Sequence, residues 1–357
     1  MVRALLLTMI SARGVLRASC AAAFVPRLLA KRRLVLVGLL SILVLLCSGC
    51  SNGSQARPVV KINILTWPGY GPIYLAKAKG FFANEGVDVE CQIQEDTQAR
   101  QAALVGGQID LVGITLESVI LANAQGIPMK VTNITDISNG GDGIIAKKGI
   151  ESISELKGKR VAFPEGQPSE LFLLYELDKV GLRADDITPV YTDDAGKAGE
   201  IFAAGQVDAA VTWEPWLSRV TDSGKGHIIL TSKGVKDILI GILAANSNRL
   251  PQDLNKLQRF ARGWYRGLQY YEEHPDESIP IMAEGFKMPP DEFRSIIGGL
   301  RFITEAEAKE YLGADGSRGS FFQIANYEQS LWRKAGVIKT PVDVTQVYTG
   351  KVLAGVQ

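Results

Sequence analysis

Acidic and aromatic side chains occur together at several points where apolar runs of the sequence end. The acids are Glu117, Asp142, Glu165 and Glu214, and the aromatic residues near them are Trp67, Tyr70, Trp213 and Trp216. An aromatic face combined with carboxylates is one way in which proteins bind an ammonium group or another cation. Each acid taken singly is more simply explained as a solvated charge or a helix N-terminal charge. Together they predict an acidic ligand site that prefers a positively charged or donor-rich nitrogen.

Groups that favour an anion occur in the same regions. Thr115 precedes a predicted helix, and capping of that helix alone explains this residue equally well. Gln167 and Ser169 lie in a turn before another helix, whose N-terminal N–H groups favour a negative charge. However, Pro168 removes one donor from this turn and Glu165 places a carboxylate beside it. An anion-selective site is therefore the alternative to the acidic one.

No motif assembles residues for catalysis. The chain has two histidines, His227 and His274, and neither lies in a candidate site segment. Beyond Gly53, where the predicted leader and the start of the tether end, the sequence contains no GxSxG nucleophile turn, no CxxC pair and no Cys/His cluster. We therefore expect a protein that is not an enzyme, with no catalytic residue, no cofactor and no metal.

The candidate residues lie within an alternating pattern of strands and helices. Predicted strands cover 59–66, 87–93, 109–114, 131–136, 159–163 and 188–191, and helices cover 73–79, 97–105, 116–124 and 169–180. Such alternation predicts an α/β fold with parallel sheets. Ligands of such sheets bind beyond the carboxyl ends of the strands, which is where most of the candidate residues fall.

An internal repeat predicts two similar lobes. Gly107-Gln108-Ile109-Asp110 recurs as Gly205-Gln206-Val207-Asp208, and Asp96 recurs as Asp194 at the same separation. The order of strands, helices and turns matches over about 55 residues in each half. We predict two Rossmann-like lobes around a ligand cleft, joined by two hinge strands near 143–147 and 238–245. Lobe 1 comprises 60–143 plus 242–357, where helices are predicted at 253–273, 290–300, 305–312 and 320–335, and lobe 2 comprises 144–241.

The N-terminus has the pattern of a secretory signal. Basic residues precede an apolar run at 34–46, and Ser48-Gly49-Cys50 follows it. This ending resembles a bacterial lipobox, so residues 1–49 are predicted to be a signal peptide, Cys50 to carry a lipid and 50–59 to form a tether. An uncleaved N-terminal anchor helix is the alternative. Only Cys91 then remains of the four cysteines, in a strand where we expect it to belong to the core.

The charge balance excludes one class of partner. The sequence contains 39 Lys plus Arg and 38 Asp plus Glu, and no long basic run remains after the leader. Nucleic-acid binding needs a basic stripe, so we expect no nucleic-acid partner. We expect a monomer, located outside the cytoplasmic membrane and held to it by the lipid.

Several segments in order resemble the nitrate/sulfonate/taurine-type substrate-binding proteins of ABC transporters. They are 61–70, 74–77, 80–82, 85–89, 153–162, 205–211 and 213–216. The resemblance implies a type II periplasmic-binding fold that delivers a small molecule to a permease powered by an ATPase. The same fold resembles yeast pyrimidine synthases of thiamine formation, but their active-site histidine and cysteine-rich segment have no counterpart here. The sequence is also compatible with binding of a pyrimidine precursor and with an envelope scaffold role without a ligand.

Overall fold

The computed structural model describes residues 56–235 and 237–356. The predicted signal peptide, Cys50 and most of the tether lie outside the described residues. None of the described helices is both long enough and apolar enough to cross a membrane. The same part of the chain contains no group of three or more His, Cys, Asp or Glu side chains that could hold a metal ion.

The first lobe is built on a six-stranded sheet. Its strands are β1 (Val59–Ile64), β2 (Asp88–Ile93), β3 (Leu111–Thr115), β4 (Met129–Ser138), β10 (Ile240–Asn246) and β11 (Leu300–Phe302). They lie in the order β11-β4-β10-β3-β1-β2. Helices α1 (Gly71–Ala78), α2 (Phe81–Asn84), α3 (Thr97–Val105) and α4 (Leu116–Ala124) connect or follow the early strands. The central strand β10 is buried along its whole length, as expected for a strand covered on both faces.

The second lobe is built on a five-stranded sheet. Its strands are β5 (Asp142–Ala146), β6 (Arg160–Pro164), β7 (Thr188–Thr192), β8 (Ala209–Trp213) and β9 (His227–Thr231). They lie in the order β7-β6-β8-β5-β9. Its helices are α5 (Pro168–Lys179), α6 (Ala195–Ala203) and α7 (Trp216–Asp222). The chain thus folds as an α/β protein with two sheets, each of which forms the centre of one lobe.

The predicted parallel pairing is found among β1, β2 and β3 and among β6, β7 and β8, but both sheets also contain antiparallel strands, including β11 at the edge of the first. β10 runs antiparallel to β3 and β4, and β5 runs antiparallel to β8 and β9. A parallel neighbour requires a crossover connection that returns the chain to the same end of the sheet. β5 and β10 instead arrive directly from the other lobe, and therefore enter their sheets from the opposite end.

The chain beyond β10 is largely helical and packs on the first lobe. Its helices are α8 (Leu250–Glu273), α9 (Pro275–Gly285), α10 (Pro290–Ile297), α11 (Glu305–Leu312), α12 (Phe321–Lys334) and α13 (Lys351–Ala354). The sequence did not predict α9, because Pro275 and Pro280 interrupt its pattern. Proline at the first helical position is compatible with a helix, since that N–H has no partner in any case.

The repeated motif makes the same contacts in both lobes. The Asp110 carboxylate accepts a hydrogen bond from the N–H of Lys61 at 3.0 Å, and the Asp208 carboxylate accepts one from Arg160 at 3.0 Å. Asp96 and Asp194 in turn accept hydrogen bonds from N–H groups in the first turns of α3 and α6. Each repeated acid therefore stabilises the start of a strand or a helix, which gives the sequence repeat a structural cause.

The chain crosses between the sheets twice. Three residues separate β4 from β5, and the return lies between Thr231 and Ile240. Because β5 begins at Asp142, we propose that lobe 2 begins about two residues before the predicted limit at 144. Cys91 is half-buried on β2, with Sγ 3.9 Å from the Tyr74 hydroxyl, and packs against the core.

Candidate ligand-binding cleft

A cavity lies between the two sheets and is lined by both lobes. The space between its lining atoms is about 700 Å³, part of it open to solvent. Six of the ten predicted binding residues line this cavity, namely Trp67, Tyr70, Thr115, Asp142, Gln167 and Trp213. The others that line it include Glu95, Thr97, Arg100, Ser118, Asp136, Ser138 and Asp194. A cavity between two lobes is a usual position for a small-molecule site.

The ends of the strands bring these residues together. Thr115, Ser138 and Trp213 are the last residues of β3, β4 and β8, whereas Asp142 is the first residue of β5. Asp142 faces the same cavity because β5 runs opposite to its neighbours, and its backbone pairs with that of Trp213. The cleft therefore collects the carboxyl ends of parallel strands and the start of one crossing strand.

Trp67 and Asp136 form one wall of the cavity. The indole Nε1 of Trp67 donates a hydrogen bond to Asp136 Oδ1 at 2.8 Å, and Thr135 Oγ1 donates to Asp136 Oδ2 at 2.7 Å. The sequence placed Asp136 at the end of a predicted strand but did not select it as a binding residue, and β4 in fact continues two residues further, to Ser138. Its neighbours fix the orientation of the carboxyl group, so that it is a preorganised acceptor at the cleft.

Tyr70 has a more structural role than the sequence suggested. Its side chain is fully buried, and its hydroxyl donates to the Ile114 carbonyl oxygen at 3.0 Å. The Ile242 carbonyl oxygen lies 3.3 Å from the same hydroxyl. The ring therefore supports the floor of the cavity at the junction of β3 and β10, and its polar tip points away from any ligand.

Two buried acids dominate the electrostatics of the cavity. Burial raises the pKa of Asp142 to about 7, with Asp136, Glu117 and Glu214 adding to this effect and Ser138 opposing it. Burial likewise raises the pKa of Asp136 to about 6, against the hydrogen bonds from Trp67 and Thr135. No basic side chain of the described residues contributes to either shift. Burying an uncompensated carboxylate is costly, so both groups favour a ligand that supplies hydrogen-bond donors.

Arg100 is the one basic residue among the cavity-lining side chains of the described chain. It is almost fully buried, and its guanidinium donates to the Glu95 carbonyl oxygen at 2.8 Å and to Thr97 Oγ1 at 3.0 Å. The Glu95 carboxylate accepts the Thr66 N–H at 2.9 Å. Arg100 thus holds the segment 94–97 in place through Nη1 and Nη2, whereas its buried Nε has no hydrogen-bond partner among the described residues. Sequence reasoning missed it because it lies inside a helix rather than at a strand end.

Four predicted binding residues lie outside the cavity lining. Glu165 is exposed on its turn, and Ser169 is fully buried in α5 behind it. The Glu214 carboxylate accepts hydrogen bonds from Ser218 N at 3.1 Å and Ser218 Oγ at 2.6 Å in the first turn of α7. Glu117 is fully buried, accepts the hydroxyl groups of Thr115 and Ser118, and has a pKa raised by burial to about 7.

An ion pair joins the lobes at the rim of the cleft. Arg219 on α7 donates from Nη2 to Glu292 Oε1 on α10 at 2.9 Å. The same guanidinium lies 4.8 Å from the ring centroid of Trp216. Both charged groups remain partly exposed, so the pair contributes little to stability but fixes the relative position of the two rims.

Comparison with known proteins finds a relative and solved structures that are similar to this chain. A riboflavin-binding protein, RibY of Chloroflexus aurantiacus, is 24% identical over 304 residues, which cover 80% of this chain and 83% of the relative. The solved structure of the alkanesulfonate-binding protein SsuA from Xanthomonas axonopodis, bound to MOPS, superposes with a TM-score of 0.68 at 21% identity, covering 82% of this chain and 99% of SsuA. The nitrate-binding protein NrtA from Synechocystis gives 0.65 at 18% identity, covering 84% and 88%.

The two-sheet α/β architecture with an interlobe cleft is therefore that of the periplasmic binding proteins. The family model described as NMT1/THI5 like matches residues 67–278, which is more than half of the chain. The protein belongs to the NMT1/THI5-like family.

Proposed function

We propose that this protein is the extracytoplasmic solute-binding component of an ABC importer. It captures a small organic molecule in the interlobe cleft and delivers it to a membrane permease powered by an ATPase. The fold and the family support this role, as do the binding functions in the names of RibY, SsuA and NrtA. The signal-like leader supports a location outside the cytoplasmic membrane, with a lipid on Cys50 as the anchor.

The ligand class follows from the two buried acids. Asp136 and Asp142 line the cavity and form no ion pair with a basic side chain of the described residues, whereas Nη1 and Nη2 of Arg100 donate to the segment 94–97. Trp67 and Trp213 add aromatic surface to the same cavity. The ligand therefore carries a protonated or donor-rich nitrogen, which forms charge-assisted hydrogen bonds with the carboxylates. A simple anion such as nitrate or an amine-free sulfonate would meet these acids without a donor to offer them.

A binding role fits the chemistry better than a synthase-like role. His227 lies 3.1 Å from Glu151 and His274 joins α8 to α9, and neither lines the cavity. Burial raises the pKa of the Cys91 thiol to about 11, which opposes formation of the nucleophilic thiolate. An envelope scaffold role would leave the enclosed cavity and its acids without a purpose.

A thermal-shift panel of amines, guanidines, nitrogen heterocycles, taurine, alkylsulfonates and nitrate tests the proposal. A nitrogen-bearing ligand at a hundredfold excess over its dissociation constant stabilises the folded state by ~2.7 kcal/mol, which is roughly 5 °C in melting temperature. Asp142→Asn should weaken its binding by about tenfold or more, because one charge-assisted hydrogen bond is lost.

Glu165→Gln is the matched control, since it removes the same charge from an exposed position outside the cavity. It should leave the affinity unchanged. Stabilisation by amine-free anions alone, retained or strengthened in Asp142→Asn, would replace the acidic cleft with an anion-binding one. Absence of stabilisation by every compound of the panel would favour the scaffold role.

A further inference from the structure

A second, outer compartment adjoins the inner cavity at the rim of the cleft. The two spaces share Glu95, Asp194 and Trp213 as lining residues, so they meet at these side chains. The outer compartment has about 1020 Å³ between its lining atoms, part of it open to solvent, against about 700 Å³ for the inner cavity. A molecule held in the inner cavity therefore has room to continue outward.

The walls of the outer compartment combine an apolar surface with charged side chains. Trp216 lies on the side of the second lobe, and Phe286, Met288 and Pro289 lie on the side of the first. Phe286 stacks on Phe293 with ring centroids 5.8 Å apart, which anchors this wall to the core. Aromatic and thioether side chains of this kind supply contact area for apolar groups.

Two of the charged groups at the rim compensate each other. Arg219 and Glu292 pair at 2.9 Å across the compartment, and the Arg219 guanidinium lies over the Trp216 ring. Glu95, Asp194 and Lys287 are the other charged residues of the lining, and the apolar surface lies between these groups. By contrast, the inner cavity presents Asp136 and Asp142, which require a donor.

Gly196 at the start of α6 determines the position of the Trp216 ring. A Cβ atom at this residue would lie 2.9 Å from Trp216 Cε2 and 3.1 Å from Asp194 Oδ1, which is closer than ordinary contact allows. The absence of a side chain at Gly196 thus leaves room for the edge of the indole beside the start of the helix. A side chain there would displace the indole.

We infer that the outer compartment is a second ligand subsite, which takes an apolar or aromatic tail of the solute. The nitrogen head binds at Asp136 and Asp142, and the tail passes Trp213 to lie between Trp216 and Met288. The inference rests on the proposed capture of a nitrogen-bearing solute and deepens it. The solute class is an amine or nitrogen heterocycle with an alkyl or aryl extension, rather than a small amine alone.

Calorimetric titration with n-butylamine and 4-phenylbutylamine tests whether the nitrogen head and the apolar tail bind in separate subsites. The phenyl tail should raise the affinity of the wild-type protein by about tenfold or more, because it buries an aromatic ring. Gly196→Ala should abolish most of this gain and leave the affinity for n-butylamine unchanged. Trp216→Ala should reduce the gain as well, since it removes one wall.

Gly199→Ala is the matched control on the same helix. Its added Cβ would lie 3.4 Å from Val220 Cγ2 and 3.8 Å from Trp216 Cβ, which is ordinary contact, so the gain should be retained. Butanesulfonate and 4-phenylbutanesulfonate provide a parallel pair with an anionic head. A tail gain seen only with the sulfonates would overturn the nitrogen head and support the outer subsite. Absence of a tail gain with both heads, or a full gain in both Gly196→Ala and Trp216→Ala, would overturn the inference.

Discussion

At the scale of single residues, the protonation of Asp142 and Asp136 links ligand capture to pH. Their pKa values are raised to about 7 and about 6 in the empty cleft, so part of each population carries a proton near neutrality. A cationic or donor-rich ligand favours the ionised form and therefore displaces protons when it binds. Neighbouring Glu117 and Glu214 raise the pKa of Asp142 further, and Arg100 is the basic group in the same cavity.

We predict that the affinity for a permanently charged guanidinium ligand falls as pH is lowered from 8 to 5. The fall approaches about tenfold per pH unit for each proton that must be displaced. Asp142→Asn should make the ligand affinity less dependent on pH near pH 7. Calorimetry in buffers of different ionisation enthalpy measures the proton release directly. An affinity that rises on acidification would indicate that the acids oppose the ligand and must be neutralised first.

Asp136 and Asp142 make the empty protein less stable as pH rises, whereas a paired carboxylate with a lowered pKa makes a protein more stable as pH rises. A raised pKa means that the folded state holds its protons more tightly than the unfolded chain does. The empty protein therefore loses stability as pH rises from about 4 through about 7, the range between the ordinary and the raised pKa values. A bound cation would remove much of this loss.

At the scale of elements, Glu214 was predicted to bind ligand, but its carboxylate forms hydrogen bonds with the first turn of helix α7. Glu214 precedes the helix, and its carboxylate accepts two hydrogen bonds from Ser218 in the first turn. Its backbone N–H donates to the Gly141 carbonyl oxygen at 2.9 Å, which connects the helix start to the crossing between the lobes. A negative charge at this end of a helix is favourable, because the N–H groups there are unpaired.

We predict that Glu214→Gln lowers the free energy of unfolding by about 0.5–1 kcal/mol and leaves ligand affinity within about twofold. Urea denaturation and calorimetry measure the two quantities separately. Glu200→Gln is the control, since its exposed ion pair with Lys197 contributes little to stability. Tighter binding of sulfonates in Glu214→Gln would instead place this carboxylate in the binding site.

At the scale of the whole molecule, the two chain crossings make relative motion of the lobes the natural response to a ligand. The crossings are short, at 139–141 and between Thr231 and Ile240, and the ligand cavity lies between the sheets that they join. A ligand that contacts both Asp136 on β4 and Asp142 on β5 favours the closed arrangement. The Arg219–Glu292 pair, which already joins the rims at 2.9 Å, is compatible with that arrangement.

We predict that small-angle scattering shows a smaller radius of gyration on addition of a saturating nitrogen-bearing ligand. Wild-type protein with a compound that gives no thermal shift is the control, because it separates closure from solvent effects. An unchanged radius at saturation would contradict the closing-cleft mechanism and favour a rigid scaffold.

Anchoring is a property of the whole chain that depends on residues beyond the described structure. We predict that Cys50→Ala leaves the protein unprocessed or releases it from membranes. Fractionation and mass determination distinguish these results. Cys20→Ala is the control, since Cys20 precedes the apolar run of the predicted leader and lies outside the lipobox-like ending, so its loss should not affect anchoring. Normal cleavage with continued membrane attachment in Cys50→Ala would rule out lipidation at that residue.

The sequence by itself determined the architecture, because local patterns encode it. The strand–helix alternation indicated the α/β class, and the bounds of α3, α4 and α11 were predicted to the residue. The repeated Gly-Gln-x-Asp motif predicted a second lobe, since its acids make equivalent local contacts in each. Thr115 and Trp213 were predicted to lie in the cleft because ligands of such sheets bind at the strand ends, and both residues line the cavity.

Only the tertiary structure decided which acids line the cavity. Asp136 is fully buried on β4 although most of that strand's residues are polar, and Asp142 reaches the cavity because β5 crosses from the other lobe and runs antiparallel. Glu165 and Glu214 carry the same chemical group, but the turn exposes one and the helix start binds the other. Side-chain direction and burial depend on contacts between distant segments, which local sequence does not specify.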